Sequence, residues 1–118
     1  MNKIKALKPS LREKKRYIIF EILSKNQIKA FNNVAKAIKF SYKSLFGDIG
    51  MGEAGLLIIA NKYDSKKQKG MIQVNHKTLD KLRSALANIE QIEEQQVIVH
   101  SLGASGILKK AEVKYLAA

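Results

Sequence analysis

Three observations predict an α+β fold for this chain. Two kinds of hydrophobic periodicity alternate along it, they follow a recognisable order, and its 118 residues suit one modest core. Stretches rich in β-branched and aromatic residues read as strands, and stretches with apolar residues every three or four positions read as helices. The order is strand, helix, strand, strand, helix, strand. It matches the ferredoxin-like, RRM-like split β-α-β-β-α-β sandwich. A basic N-terminal arm over residues 1–16 precedes a single domain over 17–118, and a short C-terminal helix is expected to close the chain.

Each element has its own signal in the sequence. Residues 17–24 form the first strand. From residue 26 to 45 the period changes: Phe31, Val34, Ile38, Tyr42 and Leu45 share one helical face, and Lys29, Lys36 and Lys43 lie on the opposite one. Gly47 is expected to end that helix, with residues 47–55 forming a flexible loop. Residues 55–60 read as a second strand that 61–63 continue, and a polar turn at 64–70 leads to a third strand over 71–74. Leu79, Leu82, Leu86 and Ile89 mark a second helix over 77–88. An acidic connector, 90–96, precedes a fourth strand at 97–102. Gly103 to Gly106 then open the last helix, with Ser105 as its N-cap.

The strands do not alternate cleanly. In the first, Ile18, Phe20 and Ile22 suit the helix-covered face, which leaves Tyr17, Ile19 and Leu23 for the other. Residues 56–60 are apolar at every position. A sheet that is apolar on both faces needs a second cover. The C-terminal helix is expected to supply part of it and a protein partner the rest.

Charge points to an anionic partner. The chain has 22 Lys and Arg against 10 Asp and Glu, a net charge of +12. Residues 1–16 hold Lys3, Lys5, Lys8, Arg12, Lys14, Lys15 and Arg16 against the single acid Glu13, half of that net charge. Cations fixed beside ordered structure suit a polyphosphate, because phosphate contacts release counterions. There is no Cys, which excludes disulfides and thiolate metal sites. No apolar run approaches membrane-spanning length, so a soluble cytoplasmic protein without membrane association is expected.

Catalytic signals are weak. Gly50, Gly52 and Gly55 fit G-x-G-x-x-G, but they follow a helix and open a strand, the reverse of a dinucleotide site. His76 and His100 each lack a partner at metal-ligand spacing. No carboxylate pair or nucleophile with its base stands out. Residues 69–74 contain no aromatic, so base stacking in the manner of an RNA-recognition motif is not expected. Backbone and shape recognition of a folded RNA is left. Three basic groups can serve it: Arg12 to Arg16, the Lys66, Lys67 and Lys69 turn, and Lys109, Lys110 and Lys114. The backbone N–H groups after Ser105 offer a further phosphate site.

The run from Leu11 to Glu21 (LREKKRYIIFE) resembles the opening motif of the archaeal and eukaryotic ribonuclease P protein component 2 family. The 47–55 loop before a hydrophobic strand, the stretch Lys81 to Leu86, and Leu102 to Lys110 (LGASGILKK) are similar to further motifs of that family. The chain departs from the usual pattern at Ile107, and at Asn75 and His76 after the third strand. The resemblance implies a non-catalytic subunit of an RNA-catalysed endoribonuclease that removes the 5′ leader of precursor tRNA. In it the RNA subunit uses Mg²⁺ and the protein binds no cofactor or metal.

The implied partners are the ribonuclease P RNA, precursor tRNA in the holoenzyme, and the barrel-shaped protein component 3, with pairs joining as a heterotetramer. Mapped here, Arg12, Lys14, Lys15, Arg16, Lys109 and Lys110 are candidates for RNA contacts. Tyr17, Ile19, Gly50 and Gly52 are candidates for protein contacts. The competing expectation is a small ferredoxin-like domain that binds a ligand or oligomerises to regulate.

Overall fold

A computed structural model describes residues 14–117. Its elements are β1 (Lys15–Ser24), α1 (Phe31–Ala54), β2 (Leu57–Ile58), β3 (Lys69–Asn75), α2 (Leu79–Ala87), β4 (Gln91–Ile92), β5 (Gln95–Ser105) and α3 (Leu108–Ala111). A wide π-helical turn, Glu112–Leu116, continues α3. The sheet order is β2-β3-β1-β5-β4, with every pairing antiparallel. Without the two-residue β4, this is the expected split β-α-β-β-α-β arrangement.

β1 is central, and each parity of its side chains builds a different core. Ile18, Phe20 and Ile22 point to α1 and α2, where they pack with Val34, Ile38, Tyr42, Leu82 and Leu86. Ile19 points the other way, into a second cluster with Met71 and Ala111, flanked by Tyr17, Leu102, Leu108 and Tyr115. The C-terminal segment therefore covers half of the second face. Ile19, expected to touch a partner, is fully buried beneath the chain's own α3.

Several boundaries differ from the sequence-based expectation, most of them by a few residues. Gly47 (φ 75°, ψ −179°) breaks α1 in a region open essentially to glycine alone, but a second helical piece follows instead of a loop. That piece ends at Gly55 in the left-handed conformation, and the Asn75 side chain donates to the Glu53 carbonyl there. A tertiary cap thus overrides the poor helix propensity of the glycines. Gly50 is consequently buried within helix, while Gly52 is exposed to open space.

β2 is short because the chain turns away at Ala60–Lys62. Tyr63, expected in the strand, instead lies against Phe20 and Phe31, at ring distances of 6.5 and 6.0 Å. The acidic connector is a hairpin: Gln91 and Ile92 pair with Gln96 and Gln95 around Glu93 and Glu94, both left-handed at φ 57° and 64°. Asn33 steadies it by donating to Glu93 at 2.8 Å.

β5 runs on to Ser105 because Leu102 is an extra residue in a bulge, between the Phe20–Ser101 and Ile19–Gly103 pairs. Gly103 is a strand residue on which the Tyr115 ring rests; a Cβ there would stand 2.2 Å from the ring. Ser105 does not cap a helix. Its Oγ accepts the Ile107 N–H at 3.1 Å, and α3 begins one residue later.

The β1–α1 connection depends on one buried amide. Gln68, left-handed at φ 53°, accepts the Ile28 N–H through Oε1 and donates through Nε2 to the Ile22 carbonyl at 2.8 Å. Tyr63 completes this corner by donating to the Ile28 carbonyl at 2.8 Å. Burial, with smaller contributions from Glu93 and Asp64, pushes the Tyr63 phenol up to about 12. A raised folded-state pKa gives stability that is whole below the unfolded value of 10.0 and lost as pH rises through the folded one. Tyr63→Phe should therefore cost about 1 kcal/mol at neutral pH. The gap to the parent protein should narrow above pH 10.0 in urea titrations at stepped pH. A gap that stays constant up to the folded-state value contradicts the buried phenol.

Candidate nucleic-acid interface

One end of the sheet gathers the basic residues. Lys15 pairs with Asn75, Arg16 with Val74 and Tyr17 with Ser105, so the start of β1 lies between the ends of β3 and β5. The His76 N–H donates to the Lys14 carbonyl at 2.9 Å and carries the pairing one residue further. α3 begins just beyond Ser105, which brings Lys109 and Lys110 to the same end. Lys14, Lys15, Lys109 and Lys110 are exposed, and Arg16 and Tyr17 are half-buried. Arg12 lies outside the described residues.

Local bonds hold two of these cations in place. The Lys15 ammonium donates to Asn75 Oδ1 at 2.8 Å. The Arg16 guanidinium donates to the Lys15 carbonyl at 3.1 Å and lies over Gly106, where a Cβ would come within 3.0 Å of it. The structure thus brings together five of the six predicted RNA-contact residues, Lys14, Lys15, Arg16, Lys109 and Lys110, from two distant stretches of sequence. It does not supply the expected helix-start phosphate site. α3 is one turn long, and Ser105 already takes the Ile107 N–H.

In the second expected basic group, Lys66, Lys67 and Lys69, two of the three ammoniums bond the chain to itself. Lys67 donates to the Ala117 carbonyl at 3.2 Å and Lys69 to the Tyr115 carbonyl at 3.4 Å, so both ammoniums sit at the end of the C-terminal segment. Cations there satisfy orphan carbonyls and oppose the negative end of a helix. Lys62, not singled out by sequence, pairs with Glu112 on the same segment. The Lys62 hydrogen bond holds the Glu112 carboxyl below its usual range, against a desolvation effect of opposite sign, with Lys109 assisting by charge. Lys114 lies over the Tyr115 ring at 5.5 Å from its centroid.

Acids collect at the other end. Glu90, Glu93 and Glu94 surround the β4–β5 hairpin, and β5 runs from there for about 30 Å to the basic end at roughly 3.3 Å per residue. Between the two ends, His100 Nε2 meets Glu21 Oε1 at 3.0 Å, directly across the β1–β5 ladder. Among the described residues no three His, Cys, Asp or Glu side chains come together as a metal site would need. No helix among them is long and apolar enough to cross a membrane.

A family model described as the Rpp14/Pop5 family matches residues 16–116. The ribonuclease P protein component 2 of Methanosarcina barkeri is 34% identical over 113 residues, which cover 96% of this chain and 80% of that protein. The protein of the same name from Thermococcus kodakarensis is 36% identical over 115 residues, covering 98% of this chain and 93% of its own. A chain in a cryo-EM structure of yeast ribonuclease MRP shares the fold, with a TM-score of 0.63 at 18% identity over 80% of this chain and 76% of that one. On the family match and these relatives together, this chain belongs to the Rpp14/Pop5 family.

Proposed function

We propose that this chain is a non-catalytic, RNA-binding protein subunit of ribonuclease P, assisting an RNA subunit in removing the 5′ leader of precursor tRNA in the cytoplasm. The observation that carries it is the basic end of the sheet, where Lys14, Lys15, Arg16, Lys109 and Lys110 meet on a scaffold of a family whose relatives are ribonuclease P component 2 proteins. These cations, together with Arg12, contact phosphates of the folded RNA. They fix register and orientation and carry no sequence information of their own. Mg²⁺ serves the RNA subunit, and the protein holds no cofactor. Its protein partner is the barrel-shaped component 3, two pairs forming a heterotetramer, with Tyr17 and Gly52 the accessible candidates for protein contact.

Two measurements test this. Ribonuclease P RNA with precursor tRNA at limiting Mg²⁺ should cleave faster when this chain and component 3 are added together. Unchanged cleavage overturns the proposal, and RNA-independent oligomers that retain no RNA point to a regulatory domain. Secondly, the Lys14→Gln, Lys15→Gln, Arg16→Gln triple variant should bind the RNA with a shallower salt dependence, the log–log slope falling by about one for each phosphate no longer neutralised. A slope equal to that of the parent protein removes these three residues from the interface.

A further inference from the structure

β5 has an outer edge that nothing among the described residues completes. β1 pairs along its inner side from Val97 to Ser105, whereas β4 meets its outer side only at Gln95 and Gln96. The Val97 N–H points outward to the Glu90 carbonyl, at 2.9 Å. Backbone alternation then turns the N–H and C=O groups of Val99 and Ser101 to the same outer side. Free edges are normally blunted by Lys, Glu or Pro. β5 carries no Asp, Glu, Lys, Arg or Pro in its 11 residues, in a chain that is 27% charged.

The neighbouring surface is apolar. Leu23 and Ile98 face each other across β1 and β5 on the half of the sheet that α3 leaves open, with 48% and 62% of their surface exposed. They line a groove of about 680 Å³ with Lys25, Glu90, Gln96 and Val97. The acidic hairpin forms its outer end.

From these features we infer that the outer edge of β5 is a strand-addition site for a protein partner of this subunit. The occupant is an extended segment with an apolar side chain over Leu23 and Ile98 and a lysine or arginine beside Glu90, Glu93 and Glu94. Main-chain hydrogen bonds to Val99 and Ser101 supply affinity, and the apolar pair and acidic rim set register. A strand with no Lys or Arg of its own, beside three acids and the single Lys25, does not suit RNA. A second copy paired antiparallel on this edge would lay its acidic hairpin against Lys109 and Lys110 and compete with the RNA end; a separate protein strand leaves that end free.

The inference rests on the chain being a subunit of a protein–RNA assembly, and the test separates the two. Amide hydrogen exchange of the full chain is followed alone at two concentrations, with component 3, and with ribonuclease P RNA. Protection of residues 98–102 that appears with component 3 and without RNA is the expected result. Ile98→Lys should then weaken component 3 binding by about tenfold or more, as loss of a central interface anchor does, while RNA retention stays unchanged. No protection with component 3, protection by RNA alone, or protection that grows with the chain's own concentration overturns the strand-addition site. Failure to retain RNA with the edge still protected by component 3 counts against the RNA-subunit proposal instead.

Discussion

The constraint on which the structure depends is that β1 is apolar toward both faces of the sheet. Ile18, Phe20 and Ile22 need one cover and Ile19 needs another, whereas antiparallel sheets commonly leave one face wet. The two main helices provide the first cover by ordinary amphipathic packing. The second comes from a segment too short to be helical alone, a four-residue α3 and one π-helical turn. Burying Ile19 and Met71 beneath it stabilises by about 1.5–3 kcal/mol per side chain. Its position is set by Tyr115 lying on Gly103, and by Lys62, Lys67 and Lys69 reaching its acid and its last carbonyls.

That cover also builds the candidate RNA surface. Because α3 docks on β1 and β5 where β1 begins, Lys109 and Lys110 arrive beside Lys14, Lys15 and Arg16 from the far end of the sequence. Lysines of similar appearance are thereby divided by function. Those at 62, 67 and 69 bond the chain to itself, while those at 14, 109 and 110 extend into solvent. Net charge alone does not draw this distinction. The two ends of β5 differ too, with cations beside Ser105 and acids beside Gln95. The two ends of the sheet thus carry opposite charge, which is the basis for proposing separate places for RNA and protein.

Much of this was legible in the sequence where periodicity is strong. Val34, Ile38 and Tyr42 announce α1, Ile18, Phe20 and Ile22 announce the inner face of β1, and the Leu11–Glu21 and Leu102–Lys110 runs carry the family resemblance. The misread stretches are those where a distant residue decides local structure. Asn75 caps the helical piece after Gly47, Tyr63 is drawn onto Phe20 and Phe31, and the Leu102 bulge carries β5 on through Gly103, on which Tyr115 rests. Glu93 and Glu94 form a left-handed turn without the usual Asn-Gly signal, steadied by Asn33. At the site, convergence of the two basic runs follows from topology, while the structural duty of Lys67 and Lys69 follows from side-chain reach, which the sequence does not show.

The central claim is that RNA is held at one end of the sheet by a specific set of cations. Lysine acetylation read by mass spectrometry, on the chain with and without ribonuclease P RNA, addresses it most directly. The account predicts that the RNA shields Lys14, Lys15, Lys109 and Lys110 and leaves the reactivity of Lys62, Lys67 and Lys69 unchanged. Shielding centred on Lys36 and Lys43 of α1, with the first set still reactive, would contradict it.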